Sequence, residues 1–587
     1  MSKACIACTS ILVTIVSIAS ASAQTATQQR VIKNTAFDRS TITTPVATTE
    51  VPRLSAETIS DISEFVRAKL NSVRSSYPIA PVVKNDSETQ ETAAAAENPS
   101  FLLKALTFDH SHYLDDKIFS EINRQLAGRP INLPVLSAVP DIVNEIYAAA
   151  GVLTGNAVLR PQTSENGVIH VSLFEPVVGE VRVDEVGRTK ASYVKKRIGV
   201  SPGERPDFAE LAEDLFEFST LNNMNLMAKF EPTDSPNVVD VVLHGEKTKE
   251  VSFSLASDNY GASETGRERL SSNYQHINFL GYRDILSVSG IFAKGINTGS
   301  VNYSFPIGFV GSRISAGITH SESRVINGPL VATNLESQST TGVVSFQHPV
   351  AVEPNRIGWF GISGNIEYLR SQVSGVELTD TTVKEFYFFT NWLWRQPTYT
   401  ASFNIQLAVG DAQSEVSTST DGDFQYIQGG FDLVGSIAET LAYKVNFDAK
   451  FGLSRNNPTS VLHSVGGVET VRGYPVSLLT GDSGFNLTLE TSLFEPWTFD
   501  LSPNTTVESI LINPFTFADL GVAVPFRNSS RAIQKEDVIA SIGFGLNYKV
   551  GSNISGDVSV GIPFRDTTGF DASHEGPVVN FKLVASF

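Results

Sequence analysis

Three charged side chains in the second half of this 587-residue sequence are of types that pair with one another, a cation on a long loop and two carboxylates on strand patterns. Arg472 stands in Val471-Arg472-Gly473-Tyr474, within the longest segment separating two alternating strand patterns. Asp519 stands in Phe517-Ala518-Asp519-Leu520-Gly521, and Glu490 lies on the strand pattern between them. A guanidinium is always charged and grips a carboxylate through two parallel N–H donors, so this chemistry fastens chain segments rather than breaking bonds. Strand parity aligns the acids. If Ile512, Ala518 and Leu520 face one side, then Phe515, Phe517 and Asp519 face the other, and Glu490 lies opposite Phe485, Leu487 and Leu489. An arginine taken out of water needs such partners, because an unpaired buried charge is costly. Tyr474 and Phe517 would supply the packing.

Other candidate sites fall away. Gly481-Asp482-Ser483-Gly484 has the residue types of a serine-protease nucleophile segment, but Phe485 breaks the continuation and no His and Asp context for a triad accompanies it. His110-Ser111-His112 offers two imidazoles without the carboxylate or cysteine ligands a metal site would need. No phosphate loop or dinucleotide fingerprint appears. The reading is of a protein with no catalytic residue, no metal and no cofactor.

The elements that must position the cluster begin with an export signal. Lys3, the apolar run Ile11 to Ala19 and the small residues Ala21-Ser22-Ala23 make residues 1–23 a secretory signal, too short to span a bilayer. Residues 24–54 are expected to be disordered. Both cysteines, Cys5 and Cys8, fall in the signal, so the mature chain has no disulfide, thiolate metal site or cysteine nucleophile. A net charge of −18 argues against nucleic-acid binding, which needs a basic surface. No later apolar stretch reaches roughly 18 residues, so membrane helices are not expected.

Alternation points instead to membrane strands. In 538–550, Val538, Ala540, Ile542, Phe544, Leu546, Tyr548 and Val550 share one face, while Ile539, Ser541, Gly543, Gly545, Asn547 and Lys549 share the other. One face suits lipid and the other a wet lumen. Tyr443 to Phe451 and Val579 to Phe587 repeat the split. Residues 249–587 accommodate about sixteen such strands, an even number as bacterial barrels require. Tight connections at Leu280 to Tyr282, Gln396-Pro397 and Gly551-Ser552 alternate with long ones at Val325 to Ser339 and Arg455 to Ser483. Short periplasmic turns and long external loops have that rhythm. The candidate cluster thus sits on the sixth external loop, between strands eleven and twelve.

Residues 101–175 and 176–246 read as two copies of one β-α-α-β-β unit. The first has a strand over Phe101 to Phe108, helical spacing through Val139, Ile142, Val143, Ile146, Tyr147 and Ala150, a stop at Gly151, and strands Ala157 to Arg160 and Val168 to Leu173 joined through Asn166-Gly167. The second runs from Val178 to Val183, through a helix carrying Phe208, Leu211, Ala212 and Leu215, to strands Asn225 to Phe230 and Val238 to His244. Upstream, residues 55–75 form an amphipathic helix with Ile59, Ile62, Phe65, Val66, Leu70 and Val73 on one face. An aperiodic linker, 76–100, follows.

This order resembles paired POTRA domains before a barrel. The segment Tyr147 to Thr154 running on to Leu159-Arg160-Pro161-Gln162 is similar to the first POTRA of two-partner-secretion transporters, although Val152 stands where that family usually has an aromatic. Val471-Arg472-Gly473-Tyr474 looks like the VRGF/Y loop tip of the POTRA-barrel superfamily. The resemblance implies that the loop folds back into the lumen and that Arg472 meets Asp519 of an inward-facing F-x-D-x-G motif. It further implies α+β periplasmic POTRA domains followed by an all-β outer-membrane barrel of the haemolysin secretion/activation type, in a Gram-negative bacterium. The helix 55–75 would plug the pore. The implied partners are a secreted exoprotein captured unfolded on POTRA edges, the outer-membrane lipids, and the barrel assembly machinery during biogenesis. The alternative is a POTRA-barrel assembly factor that inserts other barrels, which shares the loop tip but usually carries three or more POTRA units and no plug helix.

Overall fold

A computed structural model describes residues 56–77, 100–162, 167–235, 237–308, 311–416, 421–438, 440–453, 457–500, 509–524, 537–565 and 576–587. The expected signal 1–23, the 24–54 stretch, most of the 76–100 linker and Asn166 of the expected turn lie outside them. The described residues form two compact units that divide at residue 248.

In the N-terminal unit, helix α1 (Ala56–Ser76) precedes a module with helices α2 (Asp116–Leu126) and α3 (Leu133–Ala149). The side chains of Asp115 and Asn132 cap the two module helices by accepting backbone N–H bonds, and Gly151 ends α3 at φ +72°. The expected strand Phe101 to Phe108 is two strands. Ser100–Leu103 pairs antiparallel with Arg129–Asn132, while Ala105–Phe108 pairs in parallel with Val168–Phe174. Propensity could not reveal the break, because each half is satisfied by a different distant partner. Asn156–Val158 completes the sheet. The second module orders its strands as Val177–Asp184, Val238–Gly245 and Leu226–Pro232, with helices α4 (Ala191–Lys195) and α5 (Phe208–Asn222).

The His110-Ser111-His112 segment has a structural use at the junction of these modules. Glu175, only 8% exposed, accepts bonds from the Ser111 hydroxyl, the His112 N–H at 2.8 Å and the Tyr147 hydroxyl at 2.7 Å. Next to it, Tyr113 donates to the Pro206 carbonyl at 3.0 Å and packs on the Phe208 ring of the second module. Burial raises the Glu175 carboxyl, but these three donors outweigh it and hold the group below its ordinary range. A depressed acid stabilises the fold above its unfolded-state value and loses that contribution as pH falls through the folded-state value. Glu175→Ala orphans several donors and is expected to cost roughly 2–3 kcal/mol. The measurement is pulse proteolysis of the full chain at neutral pH; unchanged protection of the N-terminal unit would contradict the hub.

The amphipathic face of α1 is buried in this same unit, which corrects the pore-plug expectation. Ile62, Val66 and Leu70 belong to the apolar core of the first module, with Phe65 and Val73 packed at its edge. Around them Lys69 pairs with Glu145 at 2.8 Å, Ser63 donates to Glu121 at 2.9 Å and Arg74 donates to the Gln125 carbonyl at 3.0 Å. Ile59 lies on the helix, but its side chain is outside the described set. The reason for the difference is physical. A period of 3.6 specifies that one face must leave water and is silent about which surface receives it.

The C-terminal unit is a closed antiparallel barrel of sixteen strands, counting Ser483–Leu493 and Trp497–Asp500 as one interrupted twelfth strand. At the interruption the Asn513 side chain stands in for the ladder, accepting from the Leu493 N–H and donating to its carbonyl. The first strand, Val251–Asp258, closes the barrel against the last, Val578–Ser586, through five registered pairs. Asn259 extends that seam by donating to the Val579 carbonyl and accepting from the Phe581 N–H, each at 2.9 Å. Closure matters because a backbone group left unpaired in hydrocarbon costs several kcal/mol.

The alternation obeys the expected split. Ile542, Phe544, Leu546, Val579, Phe581 and Leu583 are exposed outward, while Ile539, Ser541 and Asn580 are buried. Connections at one end are tight, as at 354–355, 397–398 and 551–553. The opposite end carries 325–334 and 453–482, but also two-residue connections at 294–295 and 374–375. At 374–375 the strands run long instead: Arg356–Val373 and Val376–Gln396 far exceed the roughly ten residues a tilted crossing needs.

Candidate functional site

The loop 453–482 leaves the eleventh strand, Leu441–Gly452, and returns to the twelfth. A short ladder of His463–Val465 against Leu479–Gly481 makes a hairpin stem. Beyond it Gly467 bridges Val471, and the Thr470 hydroxyl accepts the Gly466 N–H at 2.7 Å. Gly466 and Gly467 hold φ of +117° and +92°, conformations that disfavour any side chain, so local sequence shapes the tip before packing does.

The tip carries Arg472 to the inward face of the thirteenth strand, Ser509–Val524. Its Nε and Nη2 donate to the two carboxylate oxygens of Asp519 at 2.8 and 2.9 Å, and its own backbone N–H adds a third bond at 3.0 Å. Nη1 reaches Glu490 of the twelfth strand at 3.2 Å. The guanidinium carbon lies 3.4 Å from the centroid of the Phe517 ring, a cation–π contact in a site where Arg472 is 8% and Asp519 2% exposed. One cation thus meets two carboxylates and an aromatic face. Val471 packs with Val465, Tyr474, Ala523 and Ile539, and the Tyr474 hydroxyl donates to the Ala540 carbonyl at 3.1 Å.

Glycines make room for this arrangement. A Cβ on Gly521 would stand 2.1 Å from Val465 and 2.7 Å from Val471. Gly473, at φ +92°, lies against Gly561 of the fifteenth strand, where a Cβ would meet the Gly473 nitrogen at 2.6 Å. The Phe517 and Phe515 rings cover Gly543 and Gly545, their registered partners on the fourteenth strand. The cluster brings together Val471, Arg472, Gly473, Tyr474, Phe517, Asp519, Gly521 and Glu490. Ile62, Phe65, Val66 and Leu70 lie in the other unit. Sequence reasoning missed Gly561, Gly543 and Gly545 as participants. Inward-facing glycines beside inward-facing aromatics are a readable signal for the last two, since a ring laid over glycine restores the missing packing.

Residues 238–548, more than half of the chain, match the family model described as haemolysin secretion/activation protein ShlB/FhaC/HecB. The chain belongs to this family. It is an outer-membrane transporter of two-partner secretion. The heme/hemopexin transporter protein HuxB of Haemophilus influenzae is 20% identical over 477 residues, covering 78% of this chain and 82% of the relative. The outer-membrane transporter CdiB of Escherichia coli is 24% identical over 200 residues, 34% of each chain. In fold, the solved CdiB structure from Escherichia coli covers 91% of this chain and 100% of its own, at TM-score 0.57 and 18% identity. BamA from Haemophilus ducreyi lacking POTRA domains 1–3 covers 83% of this chain at TM-score 0.54 and 13% identity. A shared barrel at such identity establishes architecture alone. Among the described residues no group of three or more His, Cys, Asp or Glu is placed to hold a metal.

Proposed function

We propose that this ShlB/FhaC/HecB family member captures an unfolded exoprotein on its two α/β modules in the periplasm and passes it through the barrel lumen, with loop 453–482 fastened inside that lumen by Arg472. The three-bond attachment of Arg472 to Asp519 on an inward strand face carries the reading. A buried guanidinium gripped by a carboxylate holds a loop in place; it does no bond chemistry. The modules offer strand edges, Ala105–Phe108 and Val177–Asp184 among them, that an extended peptide could join by strand addition. The exposed apolar band suits outer-membrane lipid.

The rival reading, an assembly factor, has only weak support in the BamA likeness, which is one of fold alone. The two differ in where the cargo leaves. Transport through the lumen leaves the seam shut, whereas inserting another barrel sideways needs it to open. Leu255 and Ala585 are registered partners across the seam, and the mature chain has no cysteine to interfere. Crosslinking Leu255→Cys to Ala585→Cys is expected to leave export of an exoprotein encoded beside this gene unchanged. Export that stops on oxidation and returns on reduction would favour the assembly factor.

A further inference from the structure

We infer that loop 453–482 is held in the lumen at a second anchor, independent of Arg472, and that Val461, Tyr426 and Lys450 are its positioning residues. The inference rests on the proposed transport role of this loop. The tip of the loop is fastened to strands twelve to fifteen. Its neck is bound elsewhere. At residues 459–461 the chain makes one short turn and sets Val461 into an apolar cup formed by Val383 and Tyr387 of the eighth strand, Ala408 and Ala412 of the ninth, and Phe424 and Tyr426 of the tenth.

Tyr426 joins that cup to a charged cluster beneath it. Its hydroxyl donates to Glu385, whose other oxygen accepts from Asn365 at 2.6 Å, and Gln406 donates to the tyrosine oxygen at 3.2 Å. Its ring carries the Lys450 ammonium, 3.6 Å from the centroid. Lys450 is 5% exposed and has Glu385, Asp448 and Asp482 as surrounding countercharges. A buried lysine is tolerable only with such compensation, so the cluster is rigid in the sense that removing one member strands another. The Gly481-Asp482-Ser483-Gly484 segment finds its use here. Asp482 accepts from Asn457 at 2.8 Å and the Ser483 hydroxyl accepts the Gly452 N–H at 3.0 Å, tying the outgoing and returning chains of the loop together. His463, between them, contacts Asn486 at 3.2 Å.

The apolar cup of the neck lies on strands eight to ten and the attachment of the tip on strands twelve to fifteen; the hairpin stem between them meets the twelfth strand at Asn486 and the thirteenth at Val524. Freeing Arg472 therefore releases the tip alone, while the neck keeps the loop across the channel. Full withdrawal requires both.

The test is channel conductance of the purified full chain in planar bilayers, with barrel folding checked by heat-modifiable gel migration. The variants are Arg472→Ala, Val461→Asp, their combination, and Lys450→Met beside Lys450→Arg. Exposing a valine-sized apolar group shifts an equilibrium by roughly tenfold. The expected result is roughly tenfold more frequent large openings in the double variant than in Arg472→Ala alone, a smaller rise for Lys450→Met, and return toward wild type for Lys450→Arg. A correctly folded double variant that opens no more often than Arg472→Ala would overturn the second anchor, as would equal behaviour of the methionine and arginine variants at 450. Conductance needs no cargo. Failure of the wild-type chain to export its exoprotein would count against the transport reading and leave these outcomes interpretable.

Discussion

Asp519→Ala is expected to abolish export while leaving a folded barrel in the outer membrane, and to be the most damaging single change at the loop tip. Asp519 accepts three of the bonds that hold Arg472, two from the side chain and one from the backbone. Its loss leaves a guanidinium sheltered from water with Glu490 alone, at 3.2 Å. Removing one partner of a buried ion pair typically costs about 3–5 kcal/mol, much of it from the stranded charge. The tip of the loop therefore leaves its site rather than tolerate the vacancy, while the neck stays seated. Arg472→Ala also impairs export, but Asp519 and Glu490 then lie on lumen-facing strand positions where water can reach them once the tip departs. The double variant should accordingly be no worse than Asp519→Ala alone, a non-additivity that a thermodynamic cycle measures. Arg472→Lys should not rescue, since an ammonium has no fork to span both oxygens and no planar face for the Phe517 ring. Secretion assays paired with heat-modifiable gel migration read these outcomes. Normal export by Asp519→Ala would remove the latch from the mechanism.

Gly561→Val is expected to have nearly the same phenotype without altering any charge. The backbone of the loop tip passes so close to the fifteenth strand that a Cβ on Gly561 would lie 2.6 Å from the Gly473 nitrogen and 2.7 Å from the Arg472 carbonyl carbon. The obstructing atoms are backbone, which cannot rotate aside as a side chain would. The strand itself is fixed by ladders to both neighbours, so the loop is what must move. Overpacking of this kind costs about 1–3 kcal/mol and occasionally more. Gly543→Val attacks the same latch from the other side, since a Cβ there would stand 2.2 Å from the Phe517 ring, and it would also stand 2.1 Å from the Val560 carbonyl oxygen. The carbonyl is backbone and cannot swing aside, so the change at 543 is expected to strain the barrel wall as well as loosen the latch. Protease accessibility of the loop in intact cells orders the variants; a Gly561→Val loop as protected as wild type would show that the close approach has no energetic weight.

Much of the barrel was legible because its rules are local. Each strand needs one lipid-compatible face, and alternation along Val538 to Val550 or Val579 to Phe587 declares which residues form it. The same parity puts Asp519 and Glu490 on the inward side without reference to any tertiary contact. The N-terminal elements were legible in kind but not in detail. Phe101 to Phe108 looked continuous because nothing in eight residues reveals that Lys104 divides two pairings. The tip residues were recognisable from the Val471 to Tyr474 motif, yet Gly561 was not, since its importance comes from a neighbour 88 positions away in sequence that only folding brings near.

By itself, then, the sequence determined the periodicities: about sixteen alternating strands, two α/β stretches of like pattern, an amphipathic helix, and a cationic loop tip with acids of matching parity. These follow from side-chain direction along a strand or helix, a property of the covalent chain. Only the tertiary structure decided the partners. It buried the face of α1 in the first module instead of a pore, gave His110-Ser111-His112 to a joint around Glu175, gave Gly481-Asp482-Ser483-Gly484 to the neck of the loop, and set Gly473 against Gly561. The hydrophobic effect is non-directional and rewards any adequate apolar surface, so a buried face is predictable while its counterpart is not.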